Sequence, residues 1–473
     1  MDAEPDGGPW DGGYPAAPEG VVAPPASASC PHREIPLSFV RREGDRLVDA
    51  DGEHRFISFN IPNLHVLEDP VWHVPHPWEQ SDALCSVVQA GGTVVRIYAL
   101  SVGEGPDGER RHVIAPGVFD EELLVALDAL LELAGRFGVR VIVPLVDQWS
   151  FWGGVGEYAA FRGLSPSAFW TDPTVRADFA LTVEHVLTRV NTRTGVAYRD
   201  DPAILGWETG NELSSPPEWT EWIAGLLKSL DPRHLVIDGH SGIAEASLDN
   251  ADVDVVSAHY YPGWVGQDLA AACARDRAST TGRRPLIVGE FGFAQADVLS
   301  AFMDEVVDDG TTGALLWSLR FHDVRGGFYW HAENEVEGVG YKAYHWPGFA
   351  SGARHEEQET LSRLREAAFR IRAVPTPPWV PPDPPTVLAA DRHGTIRWRG
   401  SAGATAYELW RADGADGPWQ LVLSGFDDAT QPSWASAADP DPPVRGAAHY
   451  RMTALNSAGA SAPSATVPGD GAP

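Results

Sequence analysis

The sequence predicts an α/β protein: a (β/α)8 TIM barrel with a small C-terminal antiparallel β-sandwich domain. Eight short apolar runs recur between residues 56 and 318, and helical patterns lie between them. Strands that alternate with helices over roughly 340 residues are typical of a parallel barrel. A proline-rich segment at residues 374–386 ends this pattern, and short strands of alternating polarity follow it. The barrel with an appended sandwich accounts for all three observations.

The eight apolar runs are rich in valine and isoleucine, as expected for parallel strands that are covered on both faces. We expect the chemistry at their C-terminal ends, because the loops there form the functional face of such a barrel. In chain order the predicted strands are Phe56–Asn60, Thr93–Tyr98, Val139–Val146, Ala203–Thr209, His234–Asp238, Asp254–Ala258, Pro285–Gly289 and Gly313–Ser318.

Six further segments place apolar residues three or four positions apart, which predicts amphipathic helices. The alternative fold, an open doubly wound sheet, usually carries a glycine-rich phosphate loop after a strand, and none of the runs is followed by one. We therefore prefer the barrel. The predicted helices are Phe119–Phe137, Val175–Asn191, Pro216–Leu230, Val265–Thr281, Ala296–Asp308 and His355–Arg372.

Composition divides the chain into five segments. The N-terminal segment is rich in proline and glycine and has few large apolar residues, so we expect it to be disordered. The linker contains seven prolines and is expected to be a stiff spacer. The expected segments are the tail at 1–35, the barrel at 36–373, the linker at 374–386, the sandwich at 387–466 and a short tail at 467–473.

The C-terminal segment shows the period-two alternation of antiparallel strands at Thr395–Arg399 and Tyr407–Arg411. Its positions Trp398, Tyr407 and Tyr450 resemble those of a fibronectin type III module. The resemblance covers residues 387–466 and implies a small antiparallel β-sandwich.

The charge balance limits the classes of partner. Basic residues number 35 and acidic residues 66, so the net charge is −31. Such a surface repels nucleic acid and anionic lipid, and no run of about 18 apolar residues predicts a membrane span. The three cysteines are too few and too far apart for a disulfide framework. With no signal peptide visible, we expect a cytoplasmic protein, or a secreted one if a signal has been removed.

Two glutamates follow predicted strands four and seven, where a barrel places its catalytic groups. Strand four runs into Trp207–Leu213, which contains Asn211 and Glu212, and strand seven runs into Glu290. Glycosidic bond cleavage needs one carboxyl group to protonate the leaving oxygen and a second near the anomeric carbon. The pair therefore predicts a glycoside hydrolase.

These two motifs resemble those of glycoside hydrolase family 5, a family of retaining barrel enzymes. In that family the glutamate after the asparagine is the acid/base, which implies this role for Glu212. The glutamate that ends strand seven is the nucleophile, which implies this role for Glu290. The residues of these motifs resemble most those of the mannan-degrading branch of the family.

Further positions agree with the family in strand order, and the resemblance implies a role for each. Arg96 holds the nucleophile ionised, His259 lines the sugar site and Tyr261 donates to the nucleophile. Asn211 can donate to the sugar 2-hydroxyl, a bond that strengthens in the transition state. The remaining expected substrate-binding residues are aromatic and follow strands three and eight: Trp149, Trp317 and Trp330.

The expected substrate is a neutral oligosaccharide or polysaccharide. Two aromatic loops, Trp149–Phe169 and Arg320–Gly352, suggest a walled pocket, which favours an exo-acting β-mannosidase on short manno-oligosaccharides. The alternatives are an endo-β-1,4-mannanase, a cellulase-like β-glucan hydrolase and, least favoured, a non-catalytic sugar-binding barrel. No group of histidines and acids shows metal-ligand spacing, so we expect no metal and no cofactor.

Overall fold

Eight parallel strands form the centre of the molecule in the computed structural model, which describes residues 18–35, 38–68, 72–106, 109–331, 343–349, 356–429, 436–442 and 448–469. Each strand lies within two residues, at either end, of a predicted apolar run. The strands are β1 (Phe56–Asn60), β2 (Val94–Arg96), β3 (Arg140–Pro144), β4 (Ile204–Glu208), β5 (Leu235–Ile237), β6 (Val256–Tyr260), β7 (Leu286–Phe291) and β8 (Gly313–Leu316).

The strands pair in the order β5–β4–β3–β2–β1–β8–β7–β6, and every pairing is parallel. A parallel bridge between Ile237 and Val255 joins the two ends of this row. The sheet therefore closes on itself, and the predicted (β/α)8 barrel is confirmed.

Helices surround the barrel in the expected alternation. All six predicted helices are present, although the one predicted at Val265–Thr281 is broken at Gly266 into Pro262–Val265 and a longer helix. The principal helices are α1 (Pro77–Gln89), α2 (Glu121–Phe137), α3 (Pro173–Thr188), α4 (Pro217–Leu230), α5 (Glu245–Asp249), α6 (Leu269–Thr280), α7 (Ala296–Asp308) and α8 (Glu357–Ile371). Short helices also cover Val155–Ala160 and Ala168–Thr171.

Helix α1 was not predicted, because its buried face is partly polar. Glu79, Gln80, Ser81 and Asp82 are all buried and hide the apolar periodicity. The helix is nevertheless well started: His76 accepts a hydrogen bond from the Trp78 amide, and the Glu79 side chain accepts one from the His76 amide. This reciprocal cap satisfies backbone donors at the helix start.

The N-terminal end of the barrel is closed by apolar packing. Residues from seven of the strands form one apolar cluster with Val255, which directly precedes β6; the cluster also includes Val40 and Leu47. Leu47 belongs to a small antiparallel sheet of Arg41–Glu43, Arg46–Asp49 and Gly52–Glu53, and Val40 directly precedes its first strand. With this end filled, a ligand can enter the barrel only from the C-terminal ends of the strands.

Residues 18–35 of the expected disordered tail pack against the barrel. The Ile35 amide donates to the carbonyl of Gly135 in α2, and Cys30 forms a disulfide with Cys85 of α1. The expectation of no disulfide was wrong for this pair, because folding brings together cysteines that are 55 positions apart in sequence. Residues 1–17 lie outside the described part of the chain.

The C-terminal region consists of two antiparallel sheets, as the β-sandwich prediction requires. The fibronectin type III resemblance and the exact domain limits stay predictions. One sheet contains Thr386–Ala390, Thr395–Arg399 and Ser436–Ala438; the other contains Ala406–Ala412, Gln420–Phe426, His449–Asn456, Gly459–Ala460 and Val467–Pro468.

The linker and the sandwich pack on the barrel. The Trp379 ring of the linker stacks on Trp346, with ring centroids 5.6 Å apart. His322, which follows β8, lies 2.9 Å from Asp82 of α1 and 3.0 Å from Asp428 of the sandwich. No helix in the described ranges is both long and apolar enough to cross a membrane.

Candidate active site

Two carboxylates meet at the open end of the barrel. Glu290 lies near the end of β7, and Glu212 follows β4 in a left-handed backbone conformation with φ of 54°. A carboxylate oxygen of Glu212 and one of Glu290 lie within 4.8 Å of each other. This short gap matches the carboxyl spacing of about 5–5.5 Å in retaining glycosidases rather than the wider spacing of inverting ones.

Both oxygens of Glu290 accept hydrogen bonds. Arg96 Nη1 donates to Oε1 at 2.8 Å, and the Tyr261 hydroxyl donates to Oε2 at 2.6 Å. Arg96 is almost fully buried and also donates through Nε to Glu208 at 2.6 Å. Burial lowers the pKa of Arg96, but the two carboxylates outweigh that effect and raise it. A permanent cation therefore stabilises the charged form of Glu290.

Two side-chain nitrogens lie within hydrogen-bonding distance of the Glu212 carboxylate. His259 Nδ1 lies 2.8 Å from Oε1, and the Trp149 indole donates to Oε2 at 2.6 Å. Burial raises the pKa of Glu212, but these hydrogen bonds and the charge of Arg96 outweigh it, so the pKa lies below the ordinary glutamate value. His259 approaches the barrel wall so closely that a Cβ at Gly289 would lie 2.7 Å from its Nε2.

A cavity of about 190 Å³ opens beside the carboxylates and has mainly aromatic walls. The Trp317 and Tyr98 rings both line it, with ring centroids 6.1 Å apart. Flat apolar rings suit the C–H face of a pyranose, while the charged groups at the edge can bind hydroxyls. The lining residues are Pro62, Glu68, Tyr98, Trp149, Phe151, Trp152, Trp317 and Arg320.

Glu212, His259 and Glu290 form the one group of described residues whose donor atoms are close enough to hold a metal ion. Their oxygens and nitrogen are already engaged with one another, with Tyr261 and with Trp149. These contacts therefore form one hydrogen-bond network that joins the two carboxylates through His259.

Known proteins resemble this chain in sequence and in fold. A family model described as GH family 5 beta-mannosidase-like matches residues 81–262. The chain is 34% identical over 350 residues to putative mannan endo-1,4-beta-mannosidase 5 of Oryza sativa subsp. japonica, covering 61% of this chain and 67% of that protein. The chain belongs to glycoside hydrolase family 5.

Two further comparisons agree with the assignment of this hydrolase to family 5. Mannan endo-1,4-beta-mannosidase 1 of Oryza sativa subsp. japonica is 31% identical over 309 residues, which is 55% of this chain and 69% of the relative. The endo-1,4-beta-mannanase structure from Rhizomucor miehei superposes with a TM-score of 0.57 at 21% identity, over 71% of this chain and all of that one. The latter comparison supports the barrel fold.

The fold brings most of the predicted site residues of the hydrolase together around the carboxylate pair. Arg96 and Tyr261 hold Glu290, and His259 and Trp149 hold Glu212. Trp317 lines the cavity, and Asn211 Oδ1 accepts from Arg96 Nη2 at 2.8 Å.

Two tryptophans expected on this face do not line the cavity. Trp330 packs on His345, with ring centroids 4.2 Å apart. Trp346 is buried and donates to Gln89 of α1. Of the predicted aromatic wall at Arg320–Gly352, residues 332–342 and 350–352 lie outside the described part of the chain.

The sequence predicted no role for Glu208, Tyr98 or Asp147. Glu208 binds the same guanidinium as Glu290, and Tyr98 donates to Asp147 at 2.8 Å. The alternation of side chains along a strand was the available signal for Glu208. It places residues 206 and 208 on the same face of β4. Tyr98 carried no comparable signal.

Proposed function

We propose that this hydrolase cleaves β-1,4-mannosidic bonds inside mannan chains with retention of configuration, with Glu290 as nucleophile and Glu212 as acid/base. The observation that carries the proposal is the gap of at most 4.8 Å between oxygens of the two carboxylates. Such a gap leaves room for a covalent intermediate but not for a water between carboxylate and sugar. The named relatives that act on mannan supply the substrate class.

The reaction has two steps. Glu290 attacks the anomeric carbon while Glu212 protonates the departing oxygen, which gives a glycosyl-enzyme and a shortened chain. Glu212 then takes a proton from water, and the resulting hydroxide displaces Glu290. Arg96 stabilises the negative charge of Glu290 before the attack and after its release, while Tyr261 fixes the direction of the second carboxylate oxygen.

Glu212 must hold a proton before the first step, although its pKa in the free site is low. A sugar seated against Trp149 excludes water from Glu212, and loss of water raises the pKa of a carboxyl group. Substrate binding thereby favours the protonated form of Glu212. The half-exposed Trp149 indole, at 53%, is accessible for this contact.

Internal cleavage requires sugar contacts on both sides of the carboxylates. Three described aromatic side chains are more than half exposed, and all three follow barrel strands: Trp149 and Phe151 after β3, and Trp264, in the short helix Pro262–Val265, after β6. They provide stacking surfaces on opposite sides of the site. The exo-acting expectation has less support, because Trp330 and Trp346 pack away from the cavity and the named plant relatives are endo enzymes.

The test compares polymer and oligomer cleavage by the wild type and by E290A. Internal cleavage predicts rapid loss of mannan viscosity with few reducing ends, and NMR should detect the β anomer first. Release of mannose alone, with viscosity maintained, would support the exo-acting alternative. An α anomer as the first product would contradict the retaining mechanism.

The Cys30–Cys85 disulfide bears on location. Disulfides persist in oxidising compartments, and a polymeric substrate is met outside the cell. We therefore propose an extracytoplasmic site of action in place of the cytoplasmic expectation.

A further inference from the structure

Asp147 is a buried carboxylate at the C-terminal end of the barrel without a cationic partner among the described residues. Its Oδ2 accepts from the Tyr98 hydroxyl at 2.8 Å, and its Oδ1 accepts from Asn211 Nδ2 at 3.0 Å. Burying an unpaired carboxylate is costly. Because Asp147 lies beside the proposed catalytic pair, its burial indicates a functional role rather than a stabilising one.

The backbone already pairs Asp147 with Asn211. A parallel bridge joins the two residues beyond the ends of β3 and β4. In this bridge the backbone N–H of Asn211 donates to the carbonyl of Val146, and the backbone N–H of Gln148 donates to the carbonyl of Asn211. This pairing sets the two side chains next to each other. Their hydrogen bond is therefore a product of the register between the strands.

The side-chain amide of Asn211 lies between the Arg96 guanidinium and the Asp147 carboxylate. Its Oδ1 accepts from Arg96, while its Nδ2 donates to Asp147. If the amide turned over, its NH2 group would face the guanidinium and its oxygen would face the carboxylate, and both contacts would be repulsive. No described residue accepts the second Nδ2 hydrogen. Asp147 thus determines that this hydrogen is available to the sugar.

Tyr98, the other side chain that donates to Asp147, lines the sugar cavity. Tyr98 forms part of the cavity wall together with Trp317 and donates its hydroxyl hydrogen to Asp147. If Asp147 is protonated, its own hydrogen must be donated, and the Tyr98 oxygen is the acceptor within reach. The Tyr98 hydrogen would then turn away from Asp147, and the wall of the cavity would present different hydrogen-bonding groups.

The charge of Asp147 changes near neutral pH. Burial raises the pKa of Asp147 to about 7; the hydrogen bonds from Asn211 and Tyr98 oppose this, and the negative charge of nearby Glu212 adds to it. The charged groups that surround this position are Glu212, Glu290 beyond Tyr98, and Arg96 through Asn211.

We propose that Asp147 is a positioning residue: its carboxylate holds the Asn211 amide and the Tyr98 hydroxyl in place for the bound sugar, and its negative charge strengthens that hold. The inference rests on the proposed function, in which Asn211 donates to the sugar 2-hydroxyl. Hydrogen bonds to a charged acceptor are roughly twice as strong as neutral ones, so protonation weakens the hold on both donors.

The test measures kcat and KM for manno-oligosaccharide hydrolysis by D147A and D147N between pH 5 and pH 8.5. D147A removes the acceptor, so kcat should fall by about 10- to 100-fold with a smaller change in KM, as expected when a contact group is misplaced. D147N keeps an acceptor for Asn211 and a donor for the Tyr98 oxygen, so it mimics protonated Asp147 and should restore most of the activity lost in D147A.

The ratio of wild-type to D147N kcat/KM is the decisive readout. It should be close to one at pH 5 and rise through about pH 7 to roughly five- to tenfold at pH 8.5. The melting temperature of D147N at pH 8 should equal or exceed that of the wild type, because a buried charge has been removed. A merely structural role would lower stability and activity together.

D201N is the matched control. Burial also raises the pKa of Asp201, which precedes β4 at the opposite end of the barrel. D201N should leave kcat and its pH dependence unchanged. A ratio for D147N that stays constant with pH, or a D147A variant with wild-type kcat, would overturn the inference. If the wild type does not cleave mannan at all, the proposed function fails instead.

Discussion

Arg96 Nη1 lies 2.8 Å from Glu290 Oε1, while Nε of the same guanidinium lies 2.6 Å from Glu208 Oε2. One buried cation therefore serves two buried carboxylates, one from β7 and one from β4. Without Arg96, both carboxylates would remain in the barrel interior without a counterion. The burial of Glu208 already raises its pKa, even with Arg96 in place.

The first prediction concerns this shared cation. R96A should lower the free energy of unfolding by about 3–5 kcal/mol, because removing one partner of a buried ion pair leaves an uncompensated charge. Adding E208Q should recover part of the stability by removing one charge, but not the activity, because Glu290 still lacks its partner. Chemical denaturation and mannan hydrolysis measure the two effects; equal recovery of both would contradict these assignments.

The second prediction separates the proposed roles of Glu212 and Glu290. E290A and E212A should both lose activity by orders of magnitude. Azide added to E290A should attack the substrate directly and give the inverted α-azide. Azide added to E212A should attack the glycosyl-enzyme and give the retained β-azide. NMR identifies the products, and an inverted product from E212A would reverse the assignment.

The third prediction is a shift in pH dependence. The Trp149 indole donates to Glu212 and is one cause of its low pKa. W149F removes that donor, so the pKa of Glu212 should rise and the basic limb of kcat/KM should move by about one unit to higher pH. W152F is the control, because the Trp152 indole lines the same cavity without a hydrogen-bond partner among the described residues.

The fourth prediction concerns the disulfide. Unfolded protein should show one reactive thiol per chain, from Cys273, and three after reduction. The double variant C30S/C85S should lose about 4 kcal/mol of stability, the chain-entropy value for a closed loop of 55 residues. C273S retains the disulfide and serves as the control. Three thiols without reductant would contradict the pairing.

The fifth prediction concerns the contact between barrel and sandwich. Burial lowers the pKa of His322, but Asp82 and Asp428 outweigh it and raise the pKa to about 10. A raised histidine pKa stabilises the fold fully below the unfolded value of about 6.5, and this contribution is lost as pH rises through about 10. The melting temperature difference between the wild type and H322N should therefore be large at pH 6 and small near pH 10. A constant difference would show that His322 is neutral in the fold.

Prediction from the sequence succeeded where a residue's neighbours along the chain carried the signal. The strands were predicted because runs such as Pro285–Gly289 are apolar throughout, as is typical of buried parallel strands. Glu212 and Glu290 were singled out because they come just after such runs, and their catalytic roles stay a prediction. Helix α1 was missed because its buried face contains Glu79 and Asp82, whose partners Val324 and His322 are distant in sequence.

The sequence by itself determined the strand order, the barrel and the two glutamates, because periodicity and motif spacing are local properties of the chain. Only the tertiary structure decided that Arg96 also pairs with Glu208, that Trp346 packs on the linker, and that Cys30 reaches Cys85. It also brought Asp147 beside Asn211 through the register of two neighbouring strands. These contacts join residues that are far apart in the chain. The pattern of neighbouring residues in the sequence therefore cannot predict their hydrogen bonds or charge pairs.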